Sequence, residues 1–312
     1  MALPLEPPIE PQLAKPGKEL PLGEGWVYEP KWDGFRVIAF VDDGEVFLQS
    51  RGSRPLHRYF PELVLPPGRY VLDGEIVILD AAGRPQFETL QARLHPAESR
   101  VERLARETPA TLIAFDLLAL GDEVLLELPF AERRARLATL ALDPTPSTLD
   151  PSIADGWLDT TEGVIAKELA APYRPGKRLG MQKVKRVRTV DAVVVGYRPG
   201  VEPDTVGSLI LGLYADDGTL HGMGHSSGFS AKLKRSLLDV VRPYETGDRG
   251  SADPSRWSAD RDLEWVALRP ELVVEVTFDH ASGGRIRHGA RLIRFRDDKA
   301  PHQCRLADTT LS

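Results

Sequence analysis

The chain has 312 residues, 42% hydrophobic and 28% charged, with a net charge of −6. That length suits two domains with cores large enough to fold unaided, and no apolar run reaches membrane-spanning length. A single cysteine, Cys304, excludes internal disulfides and any multi-cysteine zinc site and fits the cytoplasm.

The start, Met-Ala-Leu-Pro-Leu-Glu-Pro-Pro, has no basic region followed by an apolar core, so no signal peptide is expected. Residues 1–24 are rich in proline and read as an extended arm over the surface. A strand-like run, Trp26-Val27-Tyr28, then leads into Glu29-Pro30-Lys31-Trp32-Asp33-Gly34-Phe35-Arg36. Lys31 stands at the strand end before an Asp-Gly turn signal, with Glu29 on the same strand face. A lysine so placed suits covalent nucleotidyl transfer, in which the amine loses its proton and attacks the α-phosphorus of a nucleotide. Gly34, without a Cβ, lets a phosphate or ribose approach the backbone. Phe35–Val41 and Val46–Gln49 read as a hairpin about Asp42-Asp43-Gly44-Glu45. Ser50-Arg51-Gly52-Ser53-Arg54 follows, either a solvated loop or one whose arginines bind phosphate.

Tyr70–Leu79 is an apolar strand carrying Asp73 and Glu75 on one face around Gly74. Such carboxylates need a partner or a metal, unless the strand bulges to solvate one face. Helices are expected within 86–106, then a buried strand Thr111–Leu120 with Asp116 as its exception, then a basic amphipathic helix over Pro129–Leu140. Asp143–Asp159 reads as loop with one short helix. Thr161–Lys167 is a strand with Glu162 before a glycine, Tyr173–Arg178 is a turn, and Met181–Lys185 puts Lys183 and Lys185 on one strand face. Mutual repulsion of these lysines is relieved by an anion between them or by solvent. Charge is unevenly spread. Seven Lys/Arg and no acid lie in Leu169–Val190, and six Lys/Arg in Arg285–Lys299.

A second domain begins near Thr189. Its expected strands are Val190–Tyr197, Ser208–Tyr214, Leu220–Met223, Leu272–Phe278 and Ala290–Phe295, with a helix from Ser230, its N-cap, to Val241. Five strands and one helix fit a small Greek-key barrel of the OB type, with an SH3-like barrel as the alternative by pattern.

Taken in order, Lys31-Trp-Asp-Gly-Phe-Arg36, Ser50-Arg51-Gly52, Asp73-Gly74-Glu75, Phe115-Asp116, Glu162-Gly-Val-Ile-Ala-Lys167, Lys183-Val-Lys185 and Arg296-Asp-Asp298-Lys299 resemble motifs I, Ia, III, IIIa, IV, V and VI of the ATP-dependent DNA ligases, members of the covalent nucleotidyltransferase superfamily. The resemblance runs from about Leu5 to Cys304 and is nearest the short bacterial LigC-like group. It is supported by Arg58–Leu63, His95–Val101 and Ala114–Asp122. It implies an α+β fold: an adenylation domain of antiparallel sheets and helices at 1–187, then an OB-fold barrel at 188–312. It also implies a monomer that seals nicked double-stranded DNA with ATP and Mg²⁺ or Mn²⁺, in DNA repair. Lys31 would carry AMP, Glu29 would contact adenine and Phe115 would stack on it. Arg36 and Arg51 would meet ribose or phosphates, Arg51 also the 5′-phosphate of the nick. Glu75 would bind ribose or metal and Glu162 metal. Lys167, Lys183 and Lys185, helped by Arg178, would engage the α-phosphate or metal-bound phosphates. Arg296, Asp298 and Lys299 would serve the pyrophosphate leaving group. Three departures stand out. Met181-Gln182 replace a frequent aromatic residue, the stretch between Phe115 and Glu162 is short enough to omit a helix of relatives, and no N-terminal DNA-binding domain is expected.

Capping guanylyltransferases share motif I and the OB domain, but their lysine is usually followed by Thr-Asp-Gly rather than Trp32-Asp-Gly. RNA ligases usually lack the OB domain, and NAD-dependent DNA ligases add a nicotinamide-binding domain and a four-cysteine zinc site. An inactive nucleic-acid-binding module would not need the full set of catalytic side chains.

Overall fold

The computed structural model describes residues 3–94, 97–252, 263–278, 281–282, 285–286 and 289–309. Its contacts divide it into two units, Met1–Lys185 and Arg186–Ser312. His95 and Pro96 of one supporting segment, and Arg287 of the second basic stretch, lie outside the described residues.

The first unit opens with β1 (Lys15–Gly17), β2 (Trp26–Pro30), β3 (Phe35–Asp42), β4 (Glu45–Ser50) and β5 (Arg69–Val77). There follow α1 (Phe87–Gln91), α2 (Glu98–Glu107), β6 (Thr111–Leu120), β7 (Glu123–Val124), α3 (Phe130–Leu137), α4 (Pro151–Thr160), β8 (Val164–Glu168) and β9 (Met181–Val184). One antiparallel sheet runs β4-β3-β5-β6-β7; the other runs β1-β9-β8-β2, with only β1 and β9 parallel.

From Val37 to Val41, β3 is apolar at every position because both its faces are covered. Val37, Ala39 and Val41 join a core with Leu48, Leu72, Ile76 and Leu117, while Ile38 and Phe40 face a second cluster with Val71, Leu118 and Tyr173. That second cluster includes Ile9, with Leu3 and Leu5 against it. The N-terminal segment is therefore a packed layer, pinned where Ile9 N donates to Gln49 Oε1 at 2.9 Å and Gln49 Nε2 returns to Ile9 O at 2.6 Å. The expectation of a surface arm missed this because the covering residues are scattered singly among prolines. The β3–β4 turn has Asp43 and Gly44 at positive φ, 46° and 108°, as a two-residue hairpin matched to strand twist requires. Against β6, β5 shifts register between Asp73 and Gly74, so the bulge and the buried acid occur together.

Asp116 is 3% exposed on β6 and is held by Arg133 of α3, 2% exposed, through bonds of 2.7 and 2.9 Å. The segment 143–159 holds more helix than its composition shows. Asp150 caps α4 by accepting from Ser152 N at 2.8 Å, with Pro151 in the first turn. Only Ala154 and Leu158 of α4 are buried, against Tyr28, Val164 and Ala166, which leaves too narrow an apolar stripe to read from sequence.

The second unit comprises β10 (Arg188–Pro199), β11 (Val206–Tyr214), β12 (Leu220–Ser226), α5 (Ala231–Val241), β13 (Glu245–Ala252), β14 (Leu263–Leu268), β15 (Val273–Phe278), β16 (Ala281–Ser282), β17 (Arg285–Ile286) and β18 (Arg291–Phe295). β10 organises it. Its first half pairs β15, its second half pairs β14 on the same edge, and β11 lies on the other. A register shift between Val194 and Gly196 bends the strand there, and the sheet curls into an antiparallel half-barrel of OB type. All five expected strands and the helix capped by Ser230 are present, but β13, β14 and the β16–β17 hairpin were not foreseen. The sequence of β13, Glu-Thr-Gly-Asp-Arg-Gly-Ser-Ala, has no apolar alternation, and its pairing with β14 is what makes it a strand. Among the described residues no helix is long and apolar enough to cross a membrane.

The buried Asp116–Arg133 pair makes a prediction. Arg133→Met strands a carboxylate in the core and is expected to destabilise the first unit by about 3–5 kcal/mol in urea unfolding. Adding Asp116→Leu should recover most of that loss; a double variant as unstable as the single one would assign the loss to packing rather than charge.

Candidate active site

Lys31 lies one residue beyond β2. Its backbone N donates to Gly163 O at 2.8 Å, extending the β2–β8 ladder past the Pro30–Val164 pair. Gly163 has φ +150°, and a Cβ there would run into Val184 O. Only glycine lets the start of β8 lie this close to the end of β9. The result sets Glu162 across from Lys31. Glu162 Oε2 receives Lys31 Nζ directly, and Oε1 receives Lys185 Nζ at 2.7 Å. Burial works against ionisation of Glu162, whose side chain is 7% exposed, but Lys31 and Lys185 outweigh it and hold the carboxyl below its ordinary range. Burial, then the charges of Lys185, Lys31 and Arg178, push the neighbouring Lys183 down.

A cavity opens beside Lys31, lined by Ala14, Glu29, Pro30, Lys31, Trp32, Arg36, Glu75, Phe115, Ile165, Lys167 and Met181. Glu29 and Lys167, each 3% exposed, pair at 2.8 Å across β2 and β8, and Arg134 of α3 approaches Glu29 at 3.5 Å. Burial pushes Glu29 up. Its Oε1 is buried without a hydrogen bond. Lys167 Nζ also donates to Phe115 O at 2.9 Å and lies 4.4 Å from the centre of the Phe130 ring. Arg36 grips Asp73 with two bonds of 2.5 and 2.6 Å and stacks over Phe115 at 4.4 Å. Burial pushes Glu75 up to about 7, against the pull of Arg36 and Lys31 and with the help of Asp73 and Glu162. A Cβ on Gly34 would strike Ile76 O and come within 2.9 Å of Glu75 Cγ, so a bare backbone is needed where this turn crosses β5. Trp32 Nε1 donates to the buried Thr145 Oγ1 at 2.8 Å, tying the turn to the segment before α4.

Of the residues singled out from sequence, Glu29, Lys31, Arg36, Glu75, Phe115 and Lys167 line this cavity, and Glu162 and Lys185 reach it through Lys31. Arg51 lies exposed in the turn after β4, and Arg178 exposed after the Tyr173 turn; neither lines the cavity. In the second unit, Arg296 bonds Asp298 at 2.8 and 2.9 Å and both oxygens of Asp191 at 3.0 and 3.1 Å. Lys299 bonds Asp191 at 2.8 Å. Asp191 was missed from sequence, although an acid in the apolar run Val190–Tyr197 is the signal that picked out Asp73 and Glu75. Arg134, Thr145, Gln12 and Ala14 carry no such local signal.

Comparison with known proteins agrees with this architecture. Residues 11–185 match the ATP dependent DNA ligase domain and residues 202–299 the ATP dependent DNA ligase C terminal region. The chain is 46% identical to DNA ligase C1 of Mycolicibacterium smegmatis, over 97% of this chain and 94% of that one. It is 44% identical to DNA ligase C of Mycobacterium tuberculosis, over 98% and 95%. Among solved structures, the ligase domain of M. tuberculosis LigD superposes with a TM-score of 0.53 at 28% identity, covering 95% of this chain and 97% of that one. A mycobacterial DNA ligase D complexed with ATP and MES gives 0.54 at 29%, with the same coverage. The chain belongs to the ATP-dependent DNA ligases, in the form of the LigC-like enzymes.

Proposed function

We propose that this ligase seals nicks in duplex DNA through an adenylate carried on Lys31. The observation that supports this most is the setting of Lys31: at the wall of a cavity, bonded to one carboxylate, with Arg36, Lys167, Lys183 and Lys185 close by. Lys31 Nζ attacks the α-phosphorus of ATP as the bond to pyrophosphate breaks. Glu162, already bonded to Nζ, is placed to share the proton that the amine must give up. The surrounding cations balance charge on the phosphates during the in-line displacement. The AMP then passes to the 5′-phosphate of the nick, and the 3′-hydroxyl displaces it.

Each further role is supported by its surroundings. Glu29 Oε1, a buried acceptor that makes no hydrogen bond and has only Arg134 at 3.5 Å, suits the exocyclic amine of adenine. Phe115 and Ile165 offer apolar faces to the base, while Arg36 suits ribose or phosphate. Arg51 and Arg178, exposed, are free to meet the phosphates of ATP or of the nick. Among the described residues no cluster of three metal-ligand side chains exists. Glu75 and Glu162 both lie beside Lys31, close enough for Glu162 to help raise Glu75, a donor set that fits Mg²⁺ or Mn²⁺ shared with substrate phosphates. Such an ion would hold ATP oxygens and offset their charge. In the second unit, Arg296 and Lys299 suit the pyrophosphate leaving group. A role in DNA repair, and action as a monomer, go with this reading.

Three measurements test it. Lys31→Ala should abolish the acid-labile, base-resistant protein–AMP adduct formed with labelled ATP; an adduct that persists would reassign the nucleophile.

Glu75 can be tested without turnover. Its native carboxyl titrates near 7 rather than the ordinary 4.5, so the folded state binds more protons than the unfolded one between those values. Stability associated with protonated Glu75 is full below 4.5 and lost as pH rises through 7. In metal-free buffer, Glu75→Gln should match the parent near pH 4.5 and exceed it progressively up to pH 7–8, by at most about 3 kcal/mol at 1.36 kcal/mol per unit. A pH-independent difference would place Glu75 in ordinary solvation.

Lys299→Ala separates the steps. Pyrophosphate is present only in lysine adenylation, so that step should fall severely, while sealing of a nick already bearing 5′-AMP stays near the parent rate. Equal loss in both steps would defeat the leaving-group role.

A further inference from the structure

Arg36 does not stand alone at the cavity wall. Its Nε and Nη2 donate to the two oxygens of Asp73, a side chain with no solvent exposure. Tyr173, 1% exposed, donates its hydroxyl to Asp73 Oδ2 at 2.7 Å. The same hydroxyl accepts from the backbone N of Gln12 at 2.9 Å, and Gln12 O accepts from Arg36 Nη2 at 3.4 Å. The hydrogen bonds close a ring: the N–H of Gln12 to Tyr173, Tyr173 to Asp73, Arg36 to Asp73, and Arg36 back to the carbonyl of Gln12. Both ends of the ring are groups of one residue in the N-terminal segment.

The side chain of Gln12 fixes that residue in turn. Its Nε2 donates to Leu179 O, and its Oε1 accepts from Arg174 N at 3.0 Å. The next residue, Leu13, donates its N to Lys177 O at 2.8 Å. Two residues after Gln12, Ala14 lines the cavity itself. Every polar group in the ring is satisfied by another member, and Gln12 is 2% exposed, so water cannot replace a lost partner cheaply. A guanidinium bonded through two nitrogens to one carboxylate has its plane fixed only as well as that carboxylate is fixed. Tyr173 fixes it, and burial together with the Asp73 charge holds the phenol far above its usual range, so it remains a donor.

We propose that Tyr173 and Gln12 are positioning residues of the nucleotide site, Tyr173 acting through Asp73 and Gln12 through Tyr173 and its own carbonyl, that hold Arg36 over Phe115 for its contact with ATP. The N-terminal segment is then a working wall of that site and not only a cover for the sheet. This inference rests on the reading of Arg36 as a nucleotide contact.

The test measures ATP affinity by calorimetry on the full chain carrying Lys31→Ala, so that no adenylate forms. Tyr173→Phe removes two hydrogen bonds, one to the Asp73 carboxylate and one from Gln12 N, and should weaken ATP binding about tenfold. In an Arg36→Ala background the same change should weaken it less than about twofold, because the group it positions is gone. Gln12→Ala, which frees the segment but leaves the ring of Tyr173 in place, should shift affinity in the same direction by about threefold and show the same non-additivity. It serves as the variant if Tyr173→Phe does not fold. A purely structural role lowers the melting temperature but leaves the tenfold effect undiminished without Arg36; that outcome overturns the inference. So does unchanged affinity in both Tyr173→Phe and Gln12→Ala while Arg36→Ala weakens binding. Unchanged affinity in Arg36→Ala itself instead overturns the reading of Arg36, and the inference with it.

Discussion

One carboxylate between two ammonium groups sets the terms for the rest of the first unit. Glu162 is nearly buried, and a buried carboxylate persists only with partners. It has Lys31 and Lys185, and its charge offsets the repulsion between them and the neighbouring Lys183. The bridge depends on the backbone. Lys31 N on Gly163 O fixes the height of the lysine, and the absence of a side chain at Gly163 lets β9 close in from the other side. The Lys31 side chain thus reaches its partner from a defined ladder position rather than from a mobile loop. On the reading of Lys31 as the nucleophile, that support keeps its amine within reach of one phosphorus.

The same rule governs the cavity behind it. Glu29 is matched to Lys167, Asp73 to Arg36, and Asp116 to Arg133. The first pair ties β2 to β8, the second β3 to β5 and the third α3 to β6, while Lys167 also donates to Phe115 O and so links the two sheets. Glu75 is the exception. It sits amid Arg36 and Lys31, yet burial and two neighbouring acids keep its carboxyl near 7.

How much of this was legible follows from where each signal lies. Lys31, Glu75, Glu162 and Lys167 stand out because each interrupts or ends an apolar strand, and period-two alternation places them on a face. The β3–β4 hairpin was legible from Asp-Asp-Gly-Glu, and α5 from Ser230 ahead of an amphipathic run. What could not be read is held by partners remote in sequence. Ile9 and Gln12 look like linker until Gln49, Tyr173 and Leu179 are brought to them. β13 is a strand by virtue of β14 alone. Helix α4 buries so few residues that its cap is its clearest mark.

The second unit applies the same chemistry to cations. Arg296 and Lys299 share Asp191, and Arg296 also holds Asp298, whose carboxyl its hydrogen bonds draw down to about 2. Asp298 therefore stays ionised at any pH at which a ligase works, and Arg296 and Lys299, bonded to Asp191, are presented as a fixed, partly neutralised pair. On the reading of these residues as serving pyrophosphate, that neutralisation is useful. A lone phosphate or a chloride gains little by displacing two carboxylates, whereas a leaving group carrying several charges gains enough to compete. The cluster would then respond to the polyphosphate of the first step and stay closed on itself in the steps where none is present. Selectivity of this kind needs no base contact and no metal ligand in the second unit, only an acid set into the first half of β10.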